Sequence, residues 1–161
     1  MSSIRVLVVD DYEPFRRFVC STLKRRPALQ VIAEASEGSE AAQKAEELRP
    51  DLILLDVGLP ILNGIDVARR IRKFSPESKI IFVSQESSAD VVLEAFSSGA
   101  VGYVVKIDAG SELLAAVDAA LRGRRFVSAK LVEHVPAELS DRQTTRYIYT
   151  DEVASLADRG D

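Results

Sequence analysis

Short apolar runs alternate with longer amphipathic stretches along this chain. The runs are too short for helices and lack the alternation of half-exposed strands, so each predicts a strand buried on both faces. They occupy residues 4–9, 31–33, 52–55, 80–83 and 101–105. Between them, apolar residues recur at the three- and four-residue spacing of a helix.

Capping residues support the predicted helices. Pro14 stands where a first helical turn tolerates proline, Asn63 and Asp108 are expected N-caps, and Gly99 is an expected C-terminal cap. The pattern gives five strands alternating with five helices. This order predicts a doubly wound α/β fold, in which helices cover both faces of a parallel sheet.

Polar residues follow most of the predicted strands. Asp10 and Asp11 follow the first strand, Asp56 the third, Ser84 closes the fourth, and Lys106 follows the fifth. Because ligands of such folds bind at the carboxyl ends of the strands, we expect these five side chains to share one edge of the sheet.

Three carboxylates at one point repel each other unless a cation shares the site, and Mg²⁺ prefers such oxygen ligands. With a hydroxyl and an ammonium group, the set suits phosphoryl transfer to a carboxylate. Simpler roles stay open for single members. Asp11 could cap a helix, Lys106 could neutralise Asp56, and Ser84 could be an ordinary strand-end hydroxyl.

The composition narrows the class of protein. A chain of 161 residues, 47% apolar and 29% charged, can bury a core as one soluble domain. Its net charge of −4 gives no electrostatic footprint for nucleic acid or an anionic membrane. We see neither a membrane span nor a signal peptide, and we expect a cytoplasmic protein. Cys20 is the single cysteine and is expected to fill core space.

The motif set resembles the response-regulator receiver domain of bacterial two-component signalling. The resemblance covers about residues 4–128, and segments 106–109 and 124–128 look most like receivers of the NarL/FixJ group. It implies a flavodoxin-like, five-stranded parallel sheet in the order 2-1-3-4-5. It rests on Asp10-Asp11, Asp56 followed by Leu59-Pro60 and Asn63-Gly64, Ser84, and Tyr103 with Lys106.

The resemblance also implies roles for these residues. Asp56 would be the phosphoacceptor, taking its phosphoryl group from a sensor histidine kinase or a phosphotransfer protein. Asp11, Asp56 and the backbone carbonyl of Gly58 would bind Mg²⁺, and Asp10 would act mainly through a water. Such a domain catalyses its own phosphorylation and dephosphorylation and turns over no separate substrate.

Ser84 and Lys106 would take phosphoryl oxygens in a receiver. Tyr103 would be the switch residue, which turns inward when Ser84 moves toward the phosphoryl group; half-buried strand filler is the alternative. Two positions depart from the usual pattern. Gln85 replaces a small residue and could narrow the entrance to Asp56, and Ile107 replaces a cis proline, so we expect a trans bond there.

Residues 1–128 are therefore assigned to the receiver domain and residues 129–161 to a C-terminal tail. Residues 139–143 faintly resemble the start of a helix-turn-helix output domain. The tail could be disordered, packed on the domain, or a remnant of an output domain. His134 has no cysteine or histidine partner at ligand spacing, which favours a surface or linker position.

Two rival functions stay open. A metal-dependent aspartyl phosphohydrolase would commonly carry Asp-x-Asp after the first strand, whereas Asp10 and Asp11 are adjacent. A DNA-binding regulator would act through the tail, but the tail carries four Lys/Arg and seven Asp/Glu and is short for a supported recognition helix. We therefore expect no DNA binding by this chain alone, and a phosphorylation-dependent homodimer through the face formed by the fourth helix, the fifth strand and the fifth helix.

Overall fold

One parallel sheet organises the computed structural model, which describes residues 3–135. Its six strands are β1 (Ile4–Val9), β2 (Leu29–Ala35), β3 (Leu52–Leu55), β4 (Lys79–Ser84), β5 (Gly102–Val105) and β6 (Phe126–Val127). Its five α-helices are α1 (Glu13–Leu23), α2 (Gly38–Leu48), α3 (Gly64–Phe74), α4 (Ala89–Ser97) and α5 (Ala109–Leu121).

The strand order is β2-β1-β3-β4-β5-β6, and every pairing is parallel. The predicted fold, its five helices and the order of the first five strands are confirmed. The sixth strand was not predicted, because two residues are too few to show a periodic pattern. It pairs with the outer edge of β5, where Tyr103 lies opposite Val127.

Alternate strand residues form two hydrophobic clusters, one on each face of the sheet. Leu7, Ile53 and Phe82 pack on the face covered by α2, α3 and α4. Val6 and Ile81 belong to the cluster on the opposite face, with α1 and α5. Burial on both faces explains why the strands read as continuous apolar runs.

The helix termini follow the predicted caps with one exception. Asn63 Oδ1 accepts a hydrogen bond from the Asp66 N–H at 3.0 Å, and Gly99 has a φ of 107°. Asp108 makes no capping hydrogen bond, because a 3-10 helix, Lys106–Asp108, precedes α5; its carboxylate instead lies 3.3 Å from Lys130 Nζ. No peptide bond among the described residues is cis, as expected for Ile107.

The C-terminal segment, residues 126–135, packs on the sheet. It begins with β6 and continues as a 3-10 helix, Ala129–His134. Leu131 and Val135 are buried in the cluster that also contains Tyr103 and α4. Within residues 129–135 of the predicted tail, Leu131, Val132 and Val135 pack in this cluster. Residues 136–161, including 139–143, and the side chain of His134 lie outside the described residues.

Two smaller points concern other expectations. Cys20 is half-buried on α1 and packs at the edge of the α1–α5 cluster, so it fills core space only in part. Across residues 3–135, none of the helices combines the length and the apolar composition that crossing a membrane would require.

Candidate functional site

Three aspartates meet at the carboxyl ends of two neighbouring strands. Asp10 follows β1 and Asp56 follows β3, and these strands pair in parallel with Val9 opposite Leu55. One oxygen each of Asp10, Asp11 and Asp56 lies within 4.8 Å of the others. Asp10 and Asp56 are 3% and 6% exposed, whereas Asp11 is exposed to solvent. The parallel register therefore produces the acidic cluster that the sequence predicts.

Lys106 supplies the positive charge of the cluster. It begins the 3-10 helix after β5, and its Nζ lies 2.8 Å from Asp10 Oδ2 and 3.2 Å from Asp56 Oδ2. The same Nζ lies 4.6 Å from the centroid of the Phe15 ring, a distance at which an aromatic face attracts a cation. Two carboxylates and one ring thus surround the ammonium group.

Burial and charge act in opposite directions on these groups. Burial raises the pKa of Asp10 above its ordinary value, and the charge of Asp56 adds to the rise, although hydrogen bonds from Lys106 and the Tyr12 N–H oppose it. Burial lowers the pKa of Lys106, but its hydrogen bonds and charge interactions with Asp10 and Asp56 outweigh burial and raise that pKa. The lysine therefore stays charged.

A close backbone approach holds Asp56 beside α3. Asp56 Oδ1 accepts a hydrogen bond from the Gly58 N–H at 3.3 Å, and the Gly64 N–H bonds to the Val57 carbonyl at 2.8 Å. A Cβ on Gly64 would lie 2.0 Å from the Asp56 carbonyl oxygen. Only glycine therefore allows the start of α3 to lie this close to the backbone of Asp56. The Asn63-Gly64 motif by itself indicates no more than a turn.

Ser84 and Tyr103 lie on adjacent strands near the cluster. Both are buried, and the Tyr103 hydroxyl donates to the Glu86 carbonyl oxygen at 2.8 Å, so the ring points inward. The Glu86 N–H donates to Ser84 Oγ at 3.2 Å. Burial raises the pKa of Tyr103 to about 12, and the Ser84 hydroxyl acts in the opposite direction. Ser84 and Tyr103 are thus both hydrogen-bonded to Glu86, in the loop that follows β4.

A small cleft of about 280 Å³ opens onto this site. Its lining includes Asp11, Asp56, Ser84 and Lys106, so the cleft reaches four of the five strand-end groups. The exposed Gln85 also lines it, at the position where the sequence predicts a narrowed entrance.

Sequence reasoning missed two participants at this edge. Phe15 reads as one more apolar residue of α1, and only the contact with Lys106 distinguishes it. Ser128 follows β6, and its contacts with β5 depend on a strand that was not predicted. Helical spacing could identify the buried face of α1, but neither partner could be deduced from spacing alone.

Comparison with known proteins matches this chain to one family and to relatives that are response regulators or chemotaxis proteins. Residues 6–118 match the family described as "Response regulator receiver domain". The transcriptional regulatory protein LiaR of Bacillus subtilis is 34% identical over 136 residues, which cover 84% of this chain and 64% of LiaR. The chemotaxis protein CheY of Thermotoga maritima is 38% identical over 102 residues, which cover 63% of this chain and 84% of CheY.

Solved structures agree with this result. A two-component response regulator of the LuxR family from Aurantimonas sp. SI85-9A1 superposes with a TM-score of 0.79 at 34% identity, covering 83% of this chain and 95% of that chain. The chain spans 62% to 64% of the length of several relatives, including the response regulator GacA of Pseudomonas viridiflava and LiaR. From the family match, the relatives and the shared fold, this chain belongs to the response regulator receiver domain family.

Proposed function

We propose that Asp56 accepts a phosphoryl group from a phosphohistidine of a sensor histidine kinase or a phosphotransfer protein. The observation that carries the proposal is the Asp56 carboxylate itself, which ends the strand between β1 and β4 and lies 3.2 Å from Lys106 Nζ. Asp56 lines a cleft with Ser84, whereas Asp10 is occupied by Lys106 and the Tyr12 N–H. Asp56 is thus the acid best placed to act as nucleophile.

The transfer forms one bond and breaks one. A carboxylate oxygen of Asp56 attacks the phosphorus, the P–N bond to the donor imidazole breaks, and the departing nitrogen keeps the electron pair and takes up a proton. Lys106 and the Ser84 hydroxyl then hold phosphoryl oxygens. Fixed donors of this kind stabilise the charge of the transferring group without reorganising.

The acidic cluster fits Mg²⁺ by its donor chemistry. Carboxylate and carbonyl oxygens are the protein ligands that Mg²⁺ prefers, and one oxygen each of Asp10, Asp11 and Asp56 lies within 4.8 Å of the others. We propose that Asp11, Asp56 and the Gly58 carbonyl bind the ion, with Asp10 acting through a water. Held there, Mg²⁺ would supply charge neutralisation for the phosphoryl oxygens.

Ser84 and Tyr103 form the proposed switch. Ser84 lines the cleft, and its Oγ accepts a hydrogen bond from the N–H of Glu86, whose carbonyl oxygen accepts one from the Tyr103 hydroxyl. A shift of Ser84 toward a phosphoryl oxygen therefore disturbs both hydrogen bonds. Phosphorylation then shifts an equilibrium between two positions of the loop and the ring.

The proposed output is a protein contact. Residues 1–128 carry the chemistry, and the tail from residue 129 carries a net charge of −3, which opposes binding to DNA phosphates. We therefore assign no DNA binding to this chain alone and expect a phosphorylation-dependent homodimer through the face formed by α4, β5 and α5. In this proposal the domain takes its phosphoryl group from the donor, catalyses its own phosphorylation and dephosphorylation, and turns over no separate substrate.

The test is incubation with acetyl phosphate and Mg²⁺, followed by mass spectrometry of the intact chain and of its peptides. Asp56→Asn should abolish the phosphoryl adduct, and EDTA should strongly reduce it. Asp66→Asn is the matched control, since Asp66 is a half-buried acid on α3 that lies outside the cluster. An undiminished adduct in Asp56→Asn would refute the proposal.

A further inference from the structure

A single residue of the C-terminal segment holds β5 at two points. The Ser128 N–H donates to the Tyr103 carbonyl oxygen at 2.9 Å. The Val105 N–H donates to Ser128 Oγ at 2.8 Å. In a parallel ladder the second bond would go to a backbone carbonyl, so the serine side chain completes the ladder while the main chain turns away into the 3-10 helix.

Glu112 of α5 fixes this serine in place. The Ser128 hydroxyl donates to Glu112 Oε1, and the Ala129 N–H donates to Oε2 at 3.1 Å. Both carboxylate oxygens are thus used to hold the start of the C-terminal segment. The Glu112 carboxylate is buried, and burial of a charge is tolerated where hydrogen bonds satisfy it.

The two β5 residues that bond to Ser128 connect it to two parts of the phosphoryl site. Val105 directly precedes Lys106, which contacts Asp56. Tyr103 is the residue whose hydroxyl bonds to the loop after Ser84. Ser128 touches the backbone of both strand positions, and the segment that follows it places Leu131 in the same hydrophobic cluster as Tyr103.

We propose that Glu112 and Ser128 act as a latch that couples the phosphoryl site to the C-terminal segment, residues 126–135. The inference rests on the proposed function of Asp56 and adds the route by which its state reaches the tail. When Lys106 exchanges a carboxylate for a phosphoryl oxygen, the end of β5 shifts. Because Val105 and Tyr103 are both bonded to Ser128, the segment shifts with them.

The latch also positions Lys106. The β5–α5 junction is a short 3-10 helix, and Glu112 and Ser128 bracket it from the α5 side and the β6 side. Without the serine hydroxyl, the buried Val105 N–H loses its acceptor, which favours local opening of the strand end. The backbone that positions Lys106 beside the acidic cluster then becomes less rigid.

The test compares amide hydrogen exchange of the full chain with and without beryllofluoride and Mg²⁺, which mimic the phosphoryl group. In the parent protein, beryllofluoride should change exchange in residues 126–135 at least threefold. Ser128→Ala should speed exchange at Val105 about tenfold without ligand, and it should remove the response of residues 126–135 while beryllofluoride still binds. Glu112→Gln, which keeps one acceptor oxygen, should retain part of the response.

Ser111→Ala is the matched control, because it also removes a hydroxyl near the β5–α5 junction, but from an exposed side chain that bonds to the Asp108 carbonyl. It should behave like the parent. If beryllofluoride binds and residues 126–135 do not respond, or if Ser128→Ala responds like the parent, the latch is refuted and the phosphoacceptor survives. If ¹⁹F NMR shows no bound beryllofluoride in the parent, the proposed function fails, and the latch fails with it.

Discussion

Lys106 makes its shorter contact with Asp10, at 2.8 Å, and its longer one with Asp56, at 3.2 Å. The lysine thus contacts both carboxylates, more closely the one that is more buried, and only Asp56 of the two lines the cleft. In a receiver this division suits the proposed chemistry, because the acceptor carboxylate must be free to attack while its neighbour stays compensated.

Removal of the lysine charge should destabilise the free protein. Lys106→Met leaves Asp10 and Asp56 buried together without their cation, and breaking a buried ion pair costs on the order of 3 kcal/mol. Mg²⁺ should restore part of this loss and bind at least as tightly as to the parent. Urea denaturation with EDTA or with Mg²⁺ measures both effects. Arg17→Met breaks an exposed pair with Glu13 and should cost less than about 0.5 kcal/mol.

Glu112 should give the protein a specific dependence on pH. Burial raises the pKa of Glu112 above 4.5, although its hydrogen bonds to Ser128 and Ala129 oppose the rise. The unfolded chain therefore loses this proton at lower pH than the folded chain does, so stability falls as pH rises through the folded pKa. The free energy of unfolding of the parent, minus that of Glu112→Gln, should decrease from pH 4 upward. A constant difference between pH 4 and 8 would contradict the shift.

Ile61 should be a site of backbone strain. It has a φ of 72°, rare for a β-branched residue, and its side chain is 79% exposed. Ile61→Gly relieves strain of about 1–3 kcal/mol, offset by about 0.5–1 kcal/mol of glycine entropy. We expect a net gain near 1 kcal/mol by thermal unfolding. Ile107→Gly, at an exposed isoleucine without positive φ, should instead lose stability.

Gly64→Ala should disturb Asp56 without touching its side chain. The added Cβ would meet the Asp56 carbonyl oxygen at 2.0 Å, so α3 or the end of β3 must move. We expect a lower melting temperature and slower phosphorylation by acetyl phosphate, measured per folded molecule. Gly110→Ala is the matched control, since Gly110 lies in the first turn of α5, outside the acidic cluster, and a Cβ there would only touch the Phe18 ring at 3.9 Å. Equal rates in both variants would count against a positional role for Gly64.

The sequence predicts most of the fold because buried parallel strands and amphipathic helices have distinct periods. The acidic cluster also follows from strand order, since Asp10 and Asp56 end neighbouring strands. Where a prediction failed, a different local structure formed in place of the expected one. The expected cap at Asp108 failed because a 3-10 helix took the residues before α5, and its carboxylate pairs with Lys130 instead.

Long-range pairs were beyond the reach of sequence reasoning. Glu112 reads as a polar residue in the first turn of α5, where acids are favoured at any helix start. Its burial and its partner Ser128, sixteen positions later, depend on the docking of a two-residue strand. Periodicity carries no information about such a contact, because neither residue departs from the pattern of its own element.

The sixth strand also shows that the folded part of the chain extends beyond the family match. The family match stops at residue 118, within α5, yet Phe126 and Val127 pair with β5 and are buried. A chain truncated at that point would leave the outer edge of β5 unpaired, and an apolar strand edge of this kind recruits other chains. Expression of the domain without residues 126–135 therefore carries a risk of aggregation that the family boundary does not reveal.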